Sequence, residues 1–255
     1  MTTDVAVADK TVLDQTLLNQ TILITGASSG IGFACAESLI ESGAQHLILT
    51  ARNPEKLAAA RAQLEGIAPV RVDTVVCDHR QRESIDQLIA QLEVLGWPGA
   101  FIANIGINPV HELGPKKIHS TSWEQCHDAL TTNVVNTFYL LAAVLKEMRR
   151  NRFGRIVLMG SQAYRHGIPG QALYNLSKSS LIGLKNSVAS EYGGSNILCH
   201  LLNPGVVLNE RTRNLRQRNP QLAEVQGVTE QEVAKAAQRL LCVNDVARNA
   251  QEIDI

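Results

Sequence analysis

Tyr174 and Lys178 stand four residues apart, with Ser161 thirteen residues upstream of the tyrosine. On a helix, positions i and i+4 share a face, so the phenol and the ammonium project into one site. A free tyrosine has a pKa of about 10, too high for efficient proton exchange near neutrality. A nearby ammonium favours the phenolate and lowers that value toward working pH. A serine hydroxyl close by can polarise a substrate oxygen. Each residue alone has a commoner explanation: a packed tyrosine, a surface lysine, a loop serine. Together with the early Gly-rich segment Gly26-Ala-Ser-Ser-Gly30-Ile-Gly32, they suggest hydride transfer between a nicotinamide and a carbonyl or alcohol.

The Gly-rich segment follows the apolar run Thr21–Thr25 and precedes a helical pattern from Phe33 to Ser42, closed by Gly43. A turn between a buried strand and a helix offers free backbone N–H groups and the positive end of the helix dipole to a pyrophosphate. Gly26, Gly30 and Gly32 supply positive φ or close backbone approach. The spacing G-x-x-x-G-x-G also fits a tight strand-to-helix turn with no ligand. After the second apolar run, His46–Thr50, the chain reads Thr50-Ala51-Arg52, with no acid at the ribose position. Arg52 can form a charge-assisted fork with a 2′-phosphate, which favours NADP(H) over NAD; the alternative is a solvated surface arginine.

Further strands are expected at Val70–Cys77, Ala100–Ile105, Gly154–Met159, Ile197–Leu202 and near 252–255. Helices are expected at Pro54–Leu64, Ser84–Leu95, Ala172–Tyr192 and Thr229–Leu241. A long helix is expected over Thr121–Arg150, where Trp123, Cys126, Leu130, Val134, Phe138 and Leu141 repeat at helical spacing. Alternating strands and helices predict an α/β, Rossmann-type, doubly wound parallel sheet. One dinucleotide-binding catalytic domain over 21–255 is expected, preceded by an N-terminal extension over 1–20 that is partly disordered or packed on the outside.

The chain has 255 residues, 45% of them apolar, and zero formal net charge. Nothing here argues for a nucleic-acid or membrane surface, and no stretch is read as long enough to span a bilayer. The five cysteines are odd in number and without C-x-x-C, which reads as reduced thiols in a cytoplasmic setting. The seven histidines show no metal-ligand spacing, so no metal is expected.

From Thr21 to Ile255 the chain resembles the short-chain dehydrogenase/reductase family. Thr25-Gly-Ala-Ser-Ser-Gly-Ile-Gly32 matches the family's cofactor turn, Asp78 its adenine-contacting acid and Asn104-Ile-Gly106 its Asn-Ala-Gly segment. Asn133, Ser161, Tyr174 and Lys178 match its catalytic tetrad, and Pro204-Gly205 its turn beside the nicotinamide. The resemblance implies that Tyr174 exchanges the proton, Lys178 lowers its pKa and holds the nicotinamide ribose, Ser161 orients the substrate oxygen, and Asn133 positions a relay water. It also implies cofactor contacts from Ser28, Ser29, Ile31, Arg52 and Val207, and a homodimer or homotetramer. Ile105 is bulkier than the family's alanine, and Asn209 stands near the position of the family's carboxamide-binding threonine.

Candidate pocket walls are 108–119, 162–171 with Tyr164, Arg165 and His166, and a flap from Val206. Arg211, Arg213, Arg216 and Arg218 in the segment 209–226 are read first as a solvated face or contacts to cofactor phosphates, and second as recognising an acidic substrate. The expected activity is carbonyl–alcohol interconversion on a small metabolite. An epimerase or enoyl reductase of the same fold, or a non-catalytic NADP-binding sensor or scaffold, are the alternatives.

Overall fold

The computed structural model describes residues 15–110, 114–209, 212 and 226–255. Seven strands form one parallel sheet in the order β3-β2-β1-β4-β5-β6-β9. They are β1 (Thr21–Thr25), β2 (His46–Ala51), β3 (Arg71–Val76), β4 (Ala100–Ala103), β5 (Gly154–Met159), β6 (Ile197–Asn203) and β9 (Glu252–Asp254). All seven coincide with expected strands to within two residues, and the chain forms the doubly wound fold that the pattern predicts. A second, two-stranded parallel sheet joins β7 (Val206–Val207) to β8 (Gly227–Val228). Strands of two residues are too short for periodicity to reveal.

Side chains alternate across the sheet. Ile22 and Ile24 face one apolar cluster, shared with α2 (Gly30–Glu41), α3 (Pro54–Glu65) and α9 (Glu230–Leu241). Leu23 faces the other, shared with α4 (Arg82–Leu95), α6 (Asn136–Asn151) and α8 (Ala172–Tyr192). Both faces of the sheet are therefore covered, as the near-continuous apolar runs require. All five cysteines are free, and burial pushes the thiol of Cys35 up to about 12 and that of Cys77 to about 11.

The structure corrects three expectations. The long helix is interrupted: α5 (Trp123–Leu130) runs into a π-turn at Thr131–Val135 before α6 begins. The wider turn shifts the phase of everything after it, so Leu140, Leu141, Val144, Leu145 and Met148 are buried while Phe138 is 58% exposed; ahead of the turn, Trp123 is 77% exposed. The helical run Trp123–Asn151 is long and apolar enough by length and composition to cross a membrane, contrary to expectation. Half of its most apolar 18-residue stretch is buried within the protein, where it forms part of the core. Finally, the extension is not wholly external. Residues 1–14 lie outside the described residues, but α1 (Gln15–Leu18) seats Leu17 in the core at 2% exposure.

Leu17→Ala removes a buried leucine and should cost about 2 kcal/mol or more. Urea denaturation should show a lower midpoint with unchanged slope; an unchanged midpoint would mean that α1 does not belong to the folded core.

Candidate active site

The site lies along the C-terminal edge of the parallel sheet, where the loops following the strands converge. After β1 the chain turns through Gly26 and Gly30, with φ of +67° and +64°. At Gly32 an added Cβ would lie 2.4 Å from the Gly26 carbonyl oxygen, so the turn closes only around a glycine. Ser28 lies within this turn, and the next residue, Ser29, is the N-cap of α2 and makes no side-chain cap bond. The first N–H groups of α2 therefore have no side-chain acceptor at the cap.

Asn104 braces this turn from β4. Its Nδ2 donates to the carbonyls of Thr25 (3.0 Å) and Gly26 (3.3 Å), and its backbone N–H donates to Thr25 Oγ1 (3.0 Å). Ile105 packs beneath Gly26, its Cδ1 3.1 Å from where a Cβ would stand. The bulk that departs from the family pattern thus fills space under the turn and leaves the Asn104 bonds intact.

Ile31, Asn104, Gly106, Ser161, Tyr174, Lys178, Pro204, Gly205 and Val207 come together around one cavity of about 140 Å³. Tyr174 also borders a second, smaller cavity, with Asn108, Lys116, Gln171 and Leu173. The walls of that second cavity are tied together by Asn108 Nδ2 donating to Gln171 Oε1 (3.0 Å) and by the Lys116 N–H donating to the Gly170 carbonyl (3.2 Å). The two walls expected at 108–119 and 162–171 therefore meet beside the tyrosine. Tyr164 and Arg165, however, turn away from it and bond to Glu252.

Lys178 is buried at 3% exposure. Its Nζ donates to the Met159 carbonyl at 2.7 Å and lies 5.8 Å from the centre of the Tyr174 ring. Gly106 leaves it room: a Cβ there would stand 2.6 Å from Nζ. Burial pushes the Lys178 ammonium down from 10.5 to about 8. Burial also raises Tyr174, and the Ser161 hydroxyl pulls it back in part. This reverses the expected direction: loss of solvation outweighs any acidifying effect of the lysine, whose ammonium is directed at a carbonyl. The Ser161 hydroxyl accepts a bond from the Ala163 N–H (3.2 Å), which fixes it at the end of β5.

Asn133 sits in the π-turn, behind the cavity wall. Its Oδ1 accepts from the Ile107 N–H and its Nδ2 donates to the Ile107 carbonyl, both at 2.8 Å. Nδ2 also donates to Ser177 Oγ at 3.0 Å. The amide thereby clamps the residue after Gly106 to the helix that carries Tyr174 and Lys178.

At the far end of the sheet edge, Arg52 is exposed after β2. Asp78 follows β3, but its carboxylate is bound by Arg80, whose Nη2 donates at 2.6 Å and Nε at 3.0 Å. The Arg80 guanidinium, with Arg52 further off, holds the Asp78 carboxyl below its usual value. The acid matched to an adenine contact is thus already bonded within the protein. Arg80 went unnoticed in the sequence, where Asp-x-Arg was the available signal. Past β7, Asn209 is occupied in a turn: its Oδ1 accepts from the Thr212 N–H (3.0 Å), and its own N–H donates to Thr212 Oγ1 (2.9 Å). Arg211, Arg213, Arg216 and Arg218 lie outside the described residues.

Lys178→Met tests the buried ammonium. Between about pH 8 and 10.5 the unfolded chain holds a proton that the native lysine has lost, so wild-type stability gains with rising pH in that window. Below pH 8 the cost of burying the charge is fully present. Thermal denaturation should therefore show wild type gaining on the variant from pH 8 to pH 10; a constant difference in Tm would refute the shift.

A sequence profile described as short chain dehydrogenase matches residues 20–220. The human protein called dehydrogenase/reductase SDR family member 2, mitochondrial, is 32% identical over 188 residues. That match covers 72% of this chain and 64% of the relative, so the chain spans less than two thirds of that relative's length. The 3-oxoacyl-(acyl-carrier-protein) reductase FabG of Rickettsia bellii is 33% identical over 193 residues, covering 76% of this chain and 75% of the relative. Among solved structures, levodione reductase superposes with a TM-score of 0.83 at 28% identity, covering 92% of this chain and 95% of that one. A 3-oxoacyl reductase from Brucella melitensis shares the fold, with a TM-score of 0.85 at 24% identity over 100% of this chain and 96% of its own.

Proposed function

The chain belongs to the short-chain dehydrogenase family, and from that premise we propose that it is an NADP(H)-dependent oxidoreductase interconverting a carbonyl and an alcohol on a small molecule. The observation that carries this reading is that Tyr174 borders both cavities, one lined by Ile31, Asn104, Gly106, Lys178, Pro204, Gly205 and Val207 of the expected cofactor set and the other by residues of the expected substrate walls. The names of the relatives support a reductase: one is a 3-oxoacyl reductase and another a dehydrogenase/reductase.

The fit of a nicotinamide dinucleotide rests on the turn that only glycine at 32 can close, next to a helix start without a side-chain cap. The turn from Gly26 to Gly32, with Ser28 and Ser29, would hold the pyrophosphate. Arg52 would take the 2′-phosphate, with Asp78 and its partner Arg80 on the adenine side. Ile31, Gly106, Pro204, Gly205 and Val207 would surround the ring end, and Lys178 would reach the ribose. When bound, the nicotinamide supplies or accepts the hydride.

The protein's own share is proton management. In the reducing direction Tyr174 donates its phenolic proton to the substrate oxygen. Ser161 donates a hydrogen bond to the same oxygen as charge develops there. The ammonium of Lys178 stabilises the phenolate left behind. Asn133 holds Ile107, and so Gly106, against the helix carrying both residues. Exposed Val135, Phe138 and Leu176 support self-association through the helices around Asn133 and Tyr174, and five free thiols support a cytoplasmic setting.

Two substitutions test the reading, with NADPH consumption followed across a panel of ketones and aldehydes. Tyr174→Phe should lower kcat by about a hundredfold or more while NADPH affinity stays nearly constant; activity within about tenfold of wild type would remove the proton-donor role. Arg52→Ala should weaken NADPH by about tenfold, as expected of a lost charge-assisted bond, and NADH hardly at all. Equal weakening of both would remove the 2′-phosphate contact. NADPH binding without turnover on the whole panel would favour a sensor instead.

A further inference from the structure

Ser161 is held in place from an unexpected quarter, the outermost strand of the sheet. The segment that follows β5 leaves through Gly160 and Ser161 into α7 (Ala163–His166). Its backbone is bonded to the neighbouring strand: the Gly160 N–H donates to Leu202 O (2.7 Å) and the Gln162 N–H to Pro204 O (3.0 Å). Its side chains reach further, to β9. The Tyr164 hydroxyl and Arg165 Nη2 both donate to the Glu252 carboxylate, and Arg165 Nε lies 3.0 Å from Asp254 Oδ2.

Two more groups converge on the same carboxylate. Asn203, fully buried at the end of β6, donates from Nδ2 to Glu252 (3.2 Å) and Asp254 (3.1 Å) and lies 3.4 Å from the Tyr164 hydroxyl. Its Oδ1 sits so close to Gly160 that a Cβ there would be 2.0 Å away. Lys185, buried on α8, brings Nζ to 3.5 Å from Glu252 Oε2. Glu252 thus joins three elements: the segment carrying Ser161, the strand leading into the Pro204–Gly205 turn, and the helix carrying Tyr174 and Lys178. Partial burial pushes its carboxyl upward, but the bonds and charges of Tyr164, Lys185 and Arg165 prevail and hold it below the usual range. It therefore remains an acceptor at neutral pH.

We propose that Glu252 is a positioning residue for the active site, fixing the Ser161 hydroxyl relative to Tyr174 through Tyr164, Arg165 and Asn203. The inference rests on the role given to Ser161 above. The Arg165 arm is 40% exposed, and an exposed pair of that kind contributes little to stability. The value of the network lies in its geometry, since small misplacements of a reacting group carry large rate costs.

Glu252→Gln keeps the size of the side chain and removes its charge. Steady-state kinetics and amide hydrogen exchange would be measured on this variant, on Ser161→Ala and on the double variant. Positioning predicts that kcat falls about tenfold while the KM for NADPH stays within about twofold, and that exchange across 160–166 accelerates. In the Ser161→Ala background the substitution should cause no further loss, because both act through one hydroxyl. Unchanged exchange across 160–166, or losses that multiply fully in the double variant, would overturn the proposal. Should Ser161→Ala alone leave kcat intact, the role of Ser161 fails, while the exchange measurement still decides whether Glu252 holds the segment. Should Glu252→Gln not fold, Tyr164→Phe removes one donor from the network and is read by the same measurements.

Discussion

A lysine ammonium is buried at the C-terminal edge of the sheet, and much of the surrounding architecture follows from accommodating it. Burying an ion without compensation is costly, so Lys178 needs an acceptor and a path. The acceptor is the carbonyl of Met159, the last residue of β5, at 2.7 Å. The path exists because residue 106 has no side chain. Asn133 then clamps the neighbouring Ile107 through both ends of its amide, and a π-turn presents it. A change at the glycine, the strand end or the asparagine would therefore be felt first at the ammonium.

The same edge gathers the rest of the site because parallel strands all finish there. The loop after β1 supplies the glycine turn, that after β4 supplies Asn104 and Gly106, that after β5 supplies Ser161, and that after β6 supplies Pro204 and Gly205. These loops are cross-braced by side chains. Asn104 ties the fourth to the first, Lys178 ties α8 to the fifth strand, and Asn203 ties the sixth to the ninth. Cross-bracing lets a site assembled from distant stretches of sequence keep a fixed geometry.

The central strands were legible in the sequence because β1, β2, β4, β5 and β6 are buried almost throughout and read as apolar runs. The spacing of Tyr174 and Lys178 was legible because a single helix carries both. The interruption at Thr131–Val135 was not, although Thr-Thr-Asn-Val-Val is a run of weak helix formers; flanked by apolar residues at helical spacing, it reads as a continuation of the helix. Phe138, one of the residues at helical spacing, faces outward. Asp78 matched a motif position, but its pairing with Arg80 depends on side-chain direction, which spacing does not encode. Tyr164 and Arg165 looked like pocket residues by position and belong instead to the network on Glu252, whose partners lie far apart in the chain.

The protonation states at the centre are set chiefly by burial. The simple expectation is that a neighbouring ammonium makes the phenol more acidic. Here burial dominates both partners, raising the tyrosine and lowering the lysine to about 8. A phenol held above its usual pKa keeps its proton at neutral pH. The Ser161 hydroxyl is the group that pulls the phenol back toward ordinary acidity. The acidity of Tyr174 therefore depends on where the Ser161 hydroxyl is held, at the end of β5 by the Ala163 N–H.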